Sequence, residues 1–123
     1  MRLLFVPVLT GILANSALAC ETDYKELLRQ NNENLARLNL GMPKPELVQL
    51  MTECSTRVKG KSFSNPFKVD AWQRGSDTYE VMYYLTRRYQ KFTPVRESQT
   101  TPVVLKNGQV VGWGRAALAD LKD

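Results

Sequence analysis

The chain has 123 residues, of which 43% are hydrophobic and 24% charged; 17 Lys and Arg against 12 Asp and Glu give a net charge of +5. These values describe one globular domain, and they exclude a chain disordered throughout. There are two Cys and no His. That excludes a Cys/His or Ser/His/Asp nucleophile, a His-ligated metal and an imidazole pH switch.

Residues 1–19 read as an export signal. Arg2 is a short positive start, residues 3–14 (LLFVPVLTGILA) form an apolar run, and Asn15 and Ser16 lead to the small-x-small site Ala17-Leu18-Ala19. The run is too short for a permanent membrane anchor. Pro7 and Gly11 interrupt it, which argues against a buried core helix. Cleavage there removes only Arg2 among the charges and leaves one domain, residues 20–123, beginning at Cys20.

Cys20 has two readings. In one, Ala17-Leu18-Ala19-Cys20 is a lipobox and Cys20 becomes a lipid anchor in the outer membrane. In the other, an ordinary signal peptidase cuts and Cys20 pairs with Cys54 in the oxidising periplasm. The polar Asn15-Ser16 stretch, Ala at the −3 position and the otherwise stranded Cys54 favour the disulfide.

Residues 22–38 predict a helix capped by Thr22 or Asp23, with Tyr24, Leu27, Leu28, Leu35 and Leu38 near one face and Asn31 and Asn34 as a polar interruption. Residues 39–42 break it. A second helix runs over 43–53, with Pro43 and Pro45 tolerable only in its first turn. A near-antiparallel hairpin of these helices would bring Cys20 and Cys54 within reach. Residues 55–66 predict a basic loop. Residues 67–73 and 78–89 predict strands joined by a turn at Arg74-Gly75-Ser76-Asp77, and residues 90–100 a polar excursion. Residues 101–106 and 109–113 flank Asn107-Gly108, the strongest short hairpin signal. Residues 115–122 predict a short helix. The fold class is therefore α+β: an N-terminal two-helix hairpin packed on one face of a three- to four-stranded antiparallel sheet, with a short C-terminal helix.

The stretch LNLGMPKPELVQLM resembles the helical signature of the SmpA/OmlA group of bacterial envelope proteins, the BamE-like domain. The following Asn-Pro-Phe, the Tyr-Glu-Val-x-Tyr-Tyr strand and the closing Asn-Gly-x-Val-x-Gly-Trp-Gly hairpin are similar to that family's sheet. The likeness covers roughly residues 31–114, and most of its motifs specify turns and strands. It implies an envelope protein, possible lipoprotein character and a part in outer-membrane maintenance. The sequence departs from the pattern at Pro43, where the family carries Thr or Ser of a capping box with Glu46. It departs again at Thr52-Glu53-Cys54, where the family has a Gly, so this is a divergent branch.

Two features point to contacts. Arg57, Lys59 and Lys61 form one basic cluster, and Arg87, Arg88, Lys91 and Arg96 another. They suit anionic lipid, lipopolysaccharide or an acidic protein, against the plain alternative of a solvated loop surface. Nucleic acid is disfavoured by export. In strand 78–89, Tyr79, Val81, Tyr83 and Leu85 share one face, and Met82 and Tyr84 the other. The Asn107-Gly108 turn predicts Leu105 opposite Val110, Val104 opposite Val111 and Pro102 opposite Trp113. Both faces are then apolar, and two helices cover only one. The other needs the terminal helix, the excursion or a partner, which makes Met82, Tyr84, Val104, Val111 and Trp113 partner-binding candidates.

No catalytic, metal or cofactor constellation stands out. Glu46, Glu53, Asp70, Asp77 and Glu80 lack ligand spacing, and Lys61-Ser62 is a lone dipeptide. Gly112-Trp113-Gly114 reads as a strand end, not a phosphate loop. The expected function is a non-enzymatic interaction module meeting an envelope protein partner. The alternative is a small-ligand-binding or enzyme-inhibitor module of similar fold, with a pocket under Tyr83, Tyr84 and Trp113.

Overall fold

The computed structural model describes residues 20–89 and 94–121. The expected signal segment, Lys91 and Lys122 lie outside them. The chain is α+β, with a four-stranded and a two-stranded antiparallel sheet and a short C-terminal helix.

Helix α1 is Tyr24–Leu35, and the Asp23 carboxylate caps it by accepting from the Glu26 N–H at 3.3 Å. Helix α2 is Lys44–Met51. It starts at Pro43, whose ring leaves no side-chain cap, and its Pro45 sits in the first turn where no amide is missed. Residues 39–43 between them lie along a sheet edge: Gly41 N–H donates to Val110 O at 2.7 Å and Val110 N–H to Met42 O at 2.9 Å.

The stretch expected to be a loop holds a hairpin, β1 Thr56–Val58 and β2 Lys61–Phe63. Its turn is Lys59-Gly60, both left-handed (φ 52° and 82°). Three-residue strands carry no readable period, so the turn residues were the only signal. The main sheet is β3 Lys68–Arg74, β4 Asp77–Leu85, β5 Thr100–Lys106 and β6 Gln109–Trp113, in that spatial order. A 3-10 turn, Glu97–Gln99, precedes β5.

Strand β4 ends at Leu85 and not at Tyr89. The amides of Thr86 and Arg87 both turn to the Gln99 carbonyl, at 2.9 and 3.0 Å, while Asn31 Nδ2 takes the Leu85 carbonyl at 2.8 Å. The β5–β6 register also differs from expectation. Leu105 pairs with Val110 as predicted, but Val104 pairs with Gly112 and Val103 with Trp113. One extra residue, Val111, bulges out of β6 and shifts everything after it by one place.

Three apolar clusters make the core. Leu35, Leu38, Met42, Leu47 and Met51 pack with Met82, Tyr84, Val103, Leu105 and Val110. Leu27 and Leu28 of α1 pack with Val58, Leu85 and Val95. On the opposite face Val81, Tyr83 and Val104 pack with Trp72 and with Ala117, Leu118 and Leu121 of the terminal segment, which includes α3, Arg115–Asp120. The Met82–Tyr84 face, expected to want a partner or a tail, is covered by helix-side residues, and the tail covers the opposite face of Val81, Tyr83 and Val104. Gly112 is where the two meet: a Cβ there would lie 3.0 Å from Ala117 Cβ.

This corrects three of the partner candidates. Met82, Tyr84 and Val104 are 4%, 1% and 1% exposed and belong to the core. Helix-side residues bury the first two, and α3 contributes to burying the third. Val111 and Trp113 stay exposed, at the bulged edge strand. Tyr83, Tyr84 and Trp113 form no common pocket, because Tyr83 and Tyr84 point into clusters on opposite faces and Trp113 sits at the rim.

Candidate functional site

Cys20 and Cys54 form a disulfide with Cα atoms 4.5 Å apart. Around it the N-terminal segment lies beside the start of β1. Ser55 N–H donates to Cys20 O and Thr22 N–H to Ser55 O, each at 2.9 Å. The start of α1 and the β1–β2 hairpin are thereby held side by side.

Their junction, with the residues that follow β4, borders an open cavity of about 600 Å³ lined by Asp23, Tyr24, Lys25, Lys59, Arg88 and Tyr89. The tyrosine rings meet edge to face at 5.1 Å. Lys59 Nζ lies 5.3 Å from the centre of the Tyr89 ring, within cation–π range. The Tyr24 hydroxyl donates to the Arg87 carbonyl at 2.8 Å. Burial pushes that hydroxyl up to about 12, and the neighbouring Tyr89 adds to the shift, so it stays a neutral donor. A smaller cavity of about 180 Å³ adjoins at Lys59, with Lys61 at its rim and Val58, Phe63, Pro94 and Val95 as apolar walls.

The two basic clusters, distant in sequence, meet only through some of their members: Arg57 and Arg96 line neither cavity, and Lys91 lies outside the described residues. Lys59 and Arg88 share the larger cavity and Lys59 and Lys61 the smaller. Arg87 contributes its carbonyl and an exposed side chain, and Arg57 is exposed and 3.7 Å from Glu21. Sequence reasoning missed Lys25, Tyr24 and Tyr89. Lys25 lies on the exposed side of α1, and the sequence pattern places the tyrosines on a helix face and in a strand.

Charge pairing is uneven along the chain, and among the described residues Arg37 and Arg96, which line neither cavity, also lack a carboxylate partner. Among the described residues, Lys25, Lys61, Arg87 and Arg88 have no carboxylate partner. Elsewhere Arg29 bonds Glu26 and Glu33, Lys44 bonds Glu80 at 2.8 Å and Lys106 lies 3.7 Å from Asp77. A second groove of about 410 Å³, between β3 and the terminal residues, is internally neutralised. Its Lys68 sits 2.6 Å from Glu97 and 3.6 Å from Asp70, its Tyr83 hydroxyl donates to Asp70, and its Arg74 donates to the Leu121 carbonyl. Around Tyr24 and Tyr89, by contrast, Lys25, Lys59 and Arg88 share a lining with one carboxylate, Asp23.

Among the described residues no group of three or more His, Cys, Asp or Glu is placed to hold a metal ion, and no helix is long and apolar enough to cross a membrane. No curated protein and no solved structure matches the chain. A family described as a protein of unknown function, DUF3192, matches residues 10–120, and the chain belongs to that family.

Proposed function

We propose that this is an exported cell-envelope protein that acts by non-covalent binding of an anionic partner at its basic end. The observation that carries the reading is the meeting of Lys25, Lys59 and Arg88, from three separate segments, around Tyr24 and Tyr89. Three cations against the single Asp23 carboxylate leave the lining net positive, which steers an oppositely charged partner and selects it.

Location rests on other support. The apolar run and Ala17-Leu18-Ala19 suit export, and a disulfide suits an oxidising compartment. With the Cys20 sulfur engaged in that bond, a free periplasmic form is favoured over an outer-membrane anchor through Cys20. The SmpA/OmlA likeness of residues 31–114 supports the envelope part of the reading and an assembly or maintenance role. We read α1 and α2 as a hairpin laid over the Met82 side of the sheet, a rigid mount for the cavity. The second reading, a small-ligand module, is favoured by the larger cavity's volume, which lies in the ordinary range for ligand pockets.

Titration of the oxidised protein with dextran sulfate, followed by backbone amide NMR, tests the site. Shifts should cluster at Tyr24, Lys25, Lys59, Arg88 and Tyr89 and fade with added salt. Shifts scattered over the surface, or centred on Trp72 and Arg74, would overturn it. Recovery of the protein in the osmotic-shock fluid tests location; retention in the cytoplasm would refute export.

A further inference from the structure

We infer that the basic end docks an acidic segment of a partner protein, one that carries a single Leu- or Phe-sized side chain next to its carboxylates. This rests on the binding function proposed above and names its ligand. The argument is the pairing of two unlike cavities through one residue. Lys59 borders both the cationic cavity and the apolar one. A ligand that satisfies both has negative charge and an apolar group close together.

Size then selects among anionic ligands. The apolar cavity holds about 180 Å³. A cavity of roughly 150 Å³ accepts a benzene ring, and drug-sized ligands need roughly 300–1,000 Å³. The space therefore suits one side chain. The acyl chain of a membrane lipid is several times longer than such a ring and would leave most of its length outside. Mineral phosphate or a sulfated sugar would leave the apolar walls of Val58, Phe63 and Val95 unused. A protein segment supplies both parts: carboxylates over Lys25, Lys59 and Arg88, and an anchor buried beside them. Exposed ion pairs add little affinity but set orientation and on-rate, whereas a desolvated anchor in a pocket sets the off-rate.

The test uses the full, oxidised protein and three probes: a Glu-rich peptide with one central Phe, the same peptide with Ser in place of Phe, and vesicles of phosphatidylglycerol and phosphatidylethanolamine. The Phe peptide should bind about tenfold more tightly than the Ser peptide. The Arg88→Glu and Lys25→Glu variants, both at exposed positions, should each weaken Phe-peptide binding severalfold and reduce its salt dependence, with unchanged thermal midpoints. Equal binding of the two peptides, lost in Arg88→Glu, would overturn the anchored-segment proposal while leaving the anionic-partner reading intact. Binding of vesicles without binding of either peptide would overturn it in favour of a lipid surface. If neither peptides nor vesicles bind and dextran sulfate also leaves the amides of the basic end unmoved, the anionic-partner reading falls with it.

Discussion

Asn31 and Asn65, 34 residues apart, exchange a reciprocal pair of buried amide hydrogen bonds of 2.9 and 3.1 Å. Each also serves the backbone: Asn31 donates to Leu85 O, and Asn65 to Met51 O at 3.1 Å and Thr52 O at 2.9 Å. One polar knot therefore ties α1, the end of α2, the approach to β3 and the end of β4. Replacing Asn31 by Ala takes the Asn31 donor away from the Asn65 side-chain oxygen and the Leu85 carbonyl inside the core. We expect a loss of about 3 kcal/mol in urea unfolding, a large fraction of the stability of a domain this size.

Thr56 presents the opposite case. Its hydroxyl is buried and has no hydrogen-bond partner among the described residues. Thr56→Val keeps the shape and removes the orphan group. The variant should be at least as stable as the parent and up to about 1 kcal/mol more so. A loss beyond about 1 kcal/mol on the same urea assay would show that the hydroxyl is in fact satisfied.

Gly112 of β6 faces Ala117 of α3 closely enough that a Cβ on it would lie 3.0 Å from the Ala117 Cβ. Gly112→Val should push α3 off the Val81–Tyr83–Val104 cluster, costing about 2 kcal/mol. Limited proteolysis should then clip the C-terminal segment, which the parent protects. Equal resistance of the two proteins would show that the helix accommodates the added bulk.

The Tyr24 hydroxyl ionises near pH 10 in the unfolded chain, and burial first and Tyr89 second raise it to about 12 in the fold. A raised value means that the folded state holds the proton more tightly. The associated stability is complete below pH 10 and is lost as pH climbs from 10 towards 12. Tyr24→Phe should cost about 1 kcal/mol at neutral pH through loss of the bond to Arg87. The gap between parent and variant in chemical denaturation should narrow above pH 10, and a constant gap would contradict the assignment.

Reduction of Cys20–Cys54 releases a closure spanning 34 residues of sequence. The chain-entropy argument gives a loss of about 3 to 4 kcal/mol. Thermal melts with and without a thiol reductant, alongside a Cys20→Ser, Cys54→Ser double variant, measure it. The reduced parent and the double variant should melt alike.

Much of the fold was readable from turn chemistry. Asn107-Gly108 marked its hairpin, Arg74-Gly75-Ser76-Asp77 the turn between β3 and β4, and Pro43 and Pro45 the start of α2. What stayed hidden depends on three-dimensional company. The bulge at Val111 has no signature of its own, so the register beyond it was off by one. Asn31 looked like a flaw in an apolar face because its partner lies far along the chain. Both basic clusters were visible as clusters. The meeting of Lys59 with Arg88 was not, because the β1–β2 hairpin that delivers Lys59 is too short to announce itself, and Tyr89 lies beyond the end of the strand that its alternation predicts.

The crosslink between Cys20 and Cys54 has a bearing on timing. The chain on one side of it leads into Tyr24 and Lys25, and on the other into Lys59. A newly made polypeptide whose sulfurs are still apart possesses every cation of the surface without the framework that gathers them. Under the proposed function, oxidation is then the act that fixes this surface, and the reduced chain should bind an acidic probe more weakly than the oxidised one.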